Sequence, residues 1–126
     1  MPFEKRLISD NGLTAEAGGF GVDIRLPWYR SLPLSVVELK LLKLDGEAVP
    51  AERVSLELNG KRFALKDLAD RPDEWWYVQD SAWLHVDQPG LAAGSEHEVE
   101  VTLAVYPPYI HGFAFMTNCT KRLRAH

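Results

Sequence analysis

Four histidines, one cysteine and a few clustered carboxylates are the side chains of this sequence with obvious chemistry to offer. His85, His97, His111 and His126 stand far apart, and none has a second histidine or a carboxylate at a ligand spacing on a marked loop. No metal-binding motif is therefore legible, and no metal ligand is assigned. His97 falls on the apolar side of a strand pattern, where a packed ring is expected. Cys119 is the sole cysteine, so neither an internal disulfide nor a cysteine-based zinc site can form, and a packed thiol is the expectation. The glycines of "GGFG", Gly18 to Gly21, precede a strand rather than a helix, so a turn or bulge fits better than a phosphate cradle. Carboxylates in "PDE", Pro72 to Glu74, and "EHEVE", Glu96 to Glu100, read as solvated groups on strand faces. No catalytic residue is assigned to this chain.

Two aromatic segments stand apart. In "RLPWYRSLPL", Pro27 and Pro33 frame a connection that presents Trp28, Tyr29 and Arg30. Large rigid rings and a guanidinium are what buried interface anchors use. The same residues could instead plug the end of the fold, and composition does not choose between these. In "YPPYIHGFAFMTNC", Pro107 and Pro108 stop a strand, and Tyr109, Ile110, Phe113, Phe115 and Met116 follow with Gly112 as a pivot. Apolar content of that density marks a partner or ligand surface, or else a cover for the core. His111, flanked by Gly112, reads either as a histidine at the rim of an interface or as a side chain whose ring bonds another molecule.

These segments need elements to hold them, and the elements read as strands. "GFGVDIRL" alternates Phe20, Val22, Ile24 and Leu26 against smaller or polar residues until Pro27 ends the pattern. "SVVELKLLKLDG" places Val37, Leu39 and Leu41 on one face but Leu42 and Leu44 on the other, which requires cover on both sides or a bulge. "RVSLELNGKRFAL" is a hairpin, because Asn59-Gly60 tolerates the positive φ of a tight turn. "KDLADRPDEW" offers a turn or two of helix before Pro72. "SAWLHVDQPG" and "EHEVEVTLAVY" are further strands, and "CTKRLRAH" is expected to be the last. The pattern predicts an all-β fold, an antiparallel β-sandwich of immunoglobulin-like or jelly-roll-like type with almost no helix. With 126 residues and no linker or repeat, one domain over residues 1–126 is expected. The net charge of −4 offers nucleic acid no broad attraction. The start, "MPFEKRLISDNG", has no signal-like pattern, and no apolar stretch is long enough to span a bilayer, so no membrane association and a cytoplasmic location are expected.

Taken in order, "FGVDIRLPWYRSLPLSVVELKLLKLDGEAVP", "SLELNGKRFALKDLA" and "EWWYVQDSAWLHVDQPGLAAGSEHEVEVTLAV" resemble the small β subunit of bacterial C-glycoside deglycosidases. The likeness runs from about Phe3 to Leu123. It is most specific in the strand-to-"R-x-P-W/Y-Y-R" turn, the "DG" before "VP", and the "G…H-E-V-E-V-T-L" ending. The resemblance implies a TIM-barrel α subunit as partner, in a hetero-oligomer, carrying a divalent metal (Mn or similar) and the acid/base residues. This chain would hold no cofactor. The implied substrate is a 3-oxo-C-glycoside, met in the breakdown of flavonoid C-glycosides, whose C–C bond is cleaved by β-elimination in a carbon–carbon lyase. Trp28, Tyr29, Arg30, Tyr109, His111, Phe113 and Phe115 then face the α subunit or the rim of a shared pocket. The residues themselves also allow a stand-alone carbohydrate- or peptide-binding sandwich. Because no ligand set is legible, metal analysis of the purified chain should find no stoichiometric divalent ion; one ion per chain surviving dialysis would contradict this reading.

Overall fold

Alternation with a period of two governs the fold. In the computed structural model, which describes residues 3–126, a short helix α1 (Phe3–Arg6) leads into β1 (Ile8–Glu16) and β2 (Gly19–Arg25). There follow β3 (Leu32–Pro33), β4 (Val37–Leu44), β5 (Glu47–Ala48), β6 (Val54–Leu58) and β7 (Lys61–Ala64). The chain continues through β8 (Trp75–Trp76), β9 (Ser81–Val86), β10 (Glu96–Val105) and β11 (Phe115–Arg124). Five strands form one antiparallel sheet in the order β1-β2-β9-β6-β7, and four form a second in the order β11-β10-β4-β5. The pair β3-β8 makes a small third sheet. Phe20, Val22 and Ile24 of β2, Leu56 of β6 and Leu84 of β9 come from the first sheet; Val99, Val101 and Leu103 of β10 come from the second. All are fully buried members of one apolar cluster. The architecture is the expected all-β sandwich, with most of its helical residues in short 3-10 turns.

The conflict between the two faces of "VELKLLKL" is resolved by a bulge. Leu41 pairs with Thr102 and Leu39 with Leu103, so Lys40 is an extra residue on β4. The slip places Val37, Leu39, Leu42 and Leu44 opposite Val105, Leu103, Val101 and Val99, and all four leucine and valine side chains meet the inward row of β10. Asn59 and Gly60 both take positive φ between Leu58 and Lys61, the two-residue hairpin the sequence predicts. Asp45 and Gly46 do the same between β4 and β5. The helical spacing before Pro72 becomes a 3-10 turn over Leu65–Asp70.

Three features depart from the sequence reading. Ile8–Glu16 is a strand, although its central Ser-Asp-Asn-Gly is polar, because its register breaks between Ile8 and Leu13 and only its ends follow the ladder. The final strand begins at Phe115 rather than near Cys119, so Phe115 and Met116 belong to a sheet. His97, half-buried on the inward row of β10, is also polar-bonded at both ring nitrogens: its ring lies between Asp45 Oδ2 at 2.6 Å and Ser95 Oγ at 2.7 Å. Asp45 also accepts the Glu98 amide at 2.9 Å. The hydrogen bond from His97, followed by that amide, holds the Asp45 carboxyl below its ordinary range.

Of the "GGFG" glycines, Gly18 makes the β1–β2 turn with a φ of 76°, but Gly19 is needed for close approach. A Cβ there would stand 1.9 Å from the Val86 carbonyl oxygen on the neighbouring strand. Backbone cannot yield as a side-chain tip does, so Gly19→Ala should pry β2 from β9 and cost roughly 2 kcal/mol or more, within the range of severe overpacking. Urea unfolding checks this; a loss of under about 0.5 kcal/mol, the ordinary scale of a surface change, would show that the ladder can shift to admit the methyl group.

Candidate functional site

Leu26 and Pro27 end β2, and the next residue turns its side chain inward. Trp28 is 7% exposed and belongs to the core cluster, whereas Tyr29 is 56% exposed and Arg30 also faces solvent. Of the two roles open for this turn, Trp28 takes the end plug, and only Tyr29 and Arg30 remain free to meet another molecule. A buried indole N–H needs an acceptor. Trp28 Nε1 donates to the Tyr109 hydroxyl at 2.6 Å, and that bond fastens the two aromatic segments together.

Rings assemble around this bond. The Trp28 ring centroid lies 4.8 Å from Tyr29, 5.4 Å from Phe115 and 6.1 Å from Phe113, all in tilted arrangements. The Arg30 guanidinium sits 5.8 Å from the Tyr29 centroid and 5.6 Å from that of Tyr109. Such cation–π contacts contribute about 0.5–1 kcal/mol at exposed sites. A hydrogen bond with Tyr109 raises the Tyr29 phenol above the usual tyrosine range, with desolvation adding to it. Six of the seven residues expected at the site thus form one cluster. His111 stays outside it, exposed on a shallow hollow shared with Tyr106, Pro108, Ile110 and Phe113.

Sequence reading overlooked the third side of this surface. Leu32 pairs with Trp76 and Pro33 with Trp75, and the Val78 amide donates to Ser31 Oγ at 3.0 Å. This pairing lays the "EWWY" segment beside the Trp28 turn. Trp76 is fully buried and gives its indole N–H to the Asp80 carbonyl at 2.9 Å, while Trp75 and Tyr77 are exposed. Among the described residues, the large exposed apolar side chains are Tyr29, Trp75, Tyr77, Tyr109, Ile110, Phe113 and Met116. Every one lies on these three segments or at the start of β11. The only local signal was the doubled tryptophan, and a two-residue strand pairing is invisible without the fold.

A second group of ionisable residues came together unannounced on the outer face of the five-stranded sheet. His85 Nδ1 meets the Glu16 carboxylate at 2.9 and 3.0 Å, and Nε2 meets Glu57 Oε1 at 2.6 Å. Glu16 reaches across β2 because Gly21 lies beneath it; a Cβ at Gly21 would stand 2.7 Å from Glu16 Oε2. With both ring nitrogens engaged, His85 has none to offer as a base, and the two carboxylates on opposite edges of the ring cannot converge on one ion. Among the described residues no group of three or more histidine, cysteine, aspartate or glutamate side chains could hold a metal. No helix there is long and apolar enough to cross a membrane. Cys119 is buried, as expected.

A family model described as C-glycoside deglycosidase beta subunit matches residues 3–109. The chain is 42% identical over 105 residues to a C-glycoside deglycosidase beta subunit of Microbacterium trichothecenolyticum, covering 83% of this chain and 79% of the relative. It is 38% identical over 105 residues to one of Arthrobacter globiformis, covering 83% and 80%. It is also 38% identical over 108 residues to a 3'-dehydrocarminate deglycosidase beta subunit of a Microbacterium species, covering 86% and 81%.

The burial of Trp28 separates its role from that of its neighbour. Trp28→Ala should cost about 3–5 kcal/mol of folding stability, the usual range for a core aromatic, while Tyr29→Ala should cost less than about 1 kcal/mol. Denaturant unfolding of the two variants decides this, and equal losses would mean that Trp28 is not the plug.

Proposed function

The chain belongs to the C-glycoside deglycosidase beta subunit family, and from that premise we propose that it is the supporting, non-catalytic subunit of a heteromeric C-glycoside deglycosidase, docked through its aromatic end. The observation that carries this reading is the gathering of the large exposed apolar side chains on one end of a sandwich whose own core is already filled. Water penalises such a surface, and a second protein removes the penalty. The partner is a larger α subunit with a TIM-barrel fold.

The substrate is a C-glycoside already oxidised to a ketone at C3 of the sugar. The ketone acidifies the hydrogen at C2, a base removes it, and the aglycone leaves from C1 by β-elimination. A divalent ion on the α subunit supplies Lewis-acid stabilisation of the enolate; the donor groups described in this chain do not fit such an ion. What this chain contributes is shape. Tyr29 and Tyr109, held by Trp28 and capped by Arg30, offer rigid rings that bury area at little entropy cost, and His111 contributes to binding rather than to proton transfer.

Co-expression with a candidate TIM-barrel α subunit, followed by sizing and assay on a 3-oxo-C-glycoside, tests this. The pair should elute as one hetero-oligomer with activity that neither chain has alone. Tyr29→Ala together with Tyr109→Ala should weaken assembly by about thirtyfold or more, the effect of losing a hot spot. A monomer that ignores the α subunit and binds free glycan or peptide would replace this reading with a stand-alone binding module.

A further inference from the structure

Arg30 stands between two exposed rings of the aromatic end. Its guanidinium lies 5.8 Å from the Tyr29 centroid and 5.6 Å from that of Tyr109, and the side chain is open to water. Among the described residues no carboxylate comes within ion-pair distance of it. Glu38 and Glu74, on neighbouring segments, are already engaged, the first by Tyr106 and Lys40 and the second by Asn59 and Lys61. Lacking a carboxylate is no signal in itself, since Arg53 and Lys66 lack one too and are solvated. What sets Arg30 apart is its place. A molecule that covers the rings of Tyr29 and Tyr109 must also cover the guanidinium held against them, and a guanidinium taken out of water without a counter-charge is strongly destabilising.

The Tyr109 hydroxyl adds a second requirement. Its oxygen accepts the Trp28 indole N–H at 2.6 Å. It also hydrogen-bonds Tyr29, and that bond raises the Tyr29 phenol, the direction expected when Tyr29 is the donor. A hydroxyl has one proton to give and lone pairs for two incoming bonds. With both lone pairs engaged, the proton of the half-exposed Tyr109 turns outward, and the incoming bonds polarise it. An outward O–H donor beside a guanidinium fork matches a pair of anionic oxygens, and the carboxylate is the anionic oxygen pair that protein side chains supply.

Resting on the docking role argued above, we propose that the α subunit presents an aspartate or glutamate to this spot, its carboxylate forked onto Arg30 and accepting the Tyr109 O–H. The contact gives the docking end a fixed register, because rings alone can slide over an apolar partner while a forked ion pair holds one orientation.

Calorimetric titration of the α subunit with the full chain and its variants tests it. Arg30 is exposed in the free chain, so its variants keep the fold. Arg30→Gln strands the partner carboxylate and should weaken assembly by about thirtyfold or more. Arg30→Lys keeps the charge but not the fork and should fall between Arg30→Gln and the wild type. Arg124→Gln, at the far end of β11 from Phe115, should leave assembly unchanged. In the assembled Arg30→Lys variant, a water-soluble carbodiimide joins an amine to a carboxylate with loss of water. Peptide mapping should then find position 30 linked to an aspartate or glutamate of the α subunit. Assembly left intact by Arg30→Gln, or linked peptides that never include position 30, overturns the carboxylate while sparing the subunit role. A KM raised by Arg30→Gln with assembly unchanged overturns it too and assigns the guanidinium to the substrate. A loss from Arg124→Gln as large as that from Arg30→Gln overturns it in favour of diffuse charge. Failure of the wild-type chain to assemble removes the docking role, and this contact with it.

Discussion

The Trp28 indole must be buried and hydrogen-bonded at once, and the aromatic end of the sandwich is arranged around that double requirement. Pro27 ends the ladder of β2, leaving the space between the sheets open at that point, and the largest side chain in the repertoire fills it. Filling it desolvates the indole N–H, which would cost about 1–3 kcal/mol if left without an acceptor. Tyr109, 81 residues along the chain, supplies the acceptor. The loop after β10 is therefore positioned by a need of the loop after β2. Phe113 and Phe115 close over the same ring, and the tyrosine faces that cannot also be buried are left outside.

That remainder is what makes the surface useful. An isolated sandwich would do better with polar residues at Tyr29, Tyr77 and Met116, because none of them adds to a core that already draws on both sheets. Their gathering on one end is costly for a free chain and favourable for a bound one. In the proposed assembly this exchange is what gives the chain affinity for its partner. The rigidity of the Trp28 bond matters here, since rings held in place before binding lose little freedom on docking.

The histidines illustrate how little a residue type says without its neighbours. His85 ties Glu16 to Glu57 across the sheet, and His97 ties Asp45 to Ser95 at the mouth of the β4–β5 hairpin. Both are structural bridges from a largely buried imidazole to carboxylates that reach water, where the energy of each contact is modest because solvent screens the exposed partner. Gly21 is as much a part of the first bridge as the charged groups, because any side chain there would fill the path Glu16 takes.

Strand periodicity, the Asn59-Gly60 and Asp45-Gly46 turns and the break at Pro107-Pro108 were legible in the sequence, since each is decided by neighbouring residues: steric limits on φ, the loss of an amide at proline and the alternation of a pleated strand. The same local rules singled out both aromatic segments. They could not say that Trp28 is buried while Tyr29 is not, because which side chain enters the core depends on where the second sheet lies. Nor could they place the bulge at Lys40, which is settled only when Leu42 and Leu44 meet Val101 and Val99 of β10. Trp75, Tyr77 and the Glu16–His85–Glu57 bridge were out of reach for the same reason. Their partners are brought near by strand order, and strand order follows from how two sheets bury their inner faces against each other, a property of the whole chain rather than of any window along it.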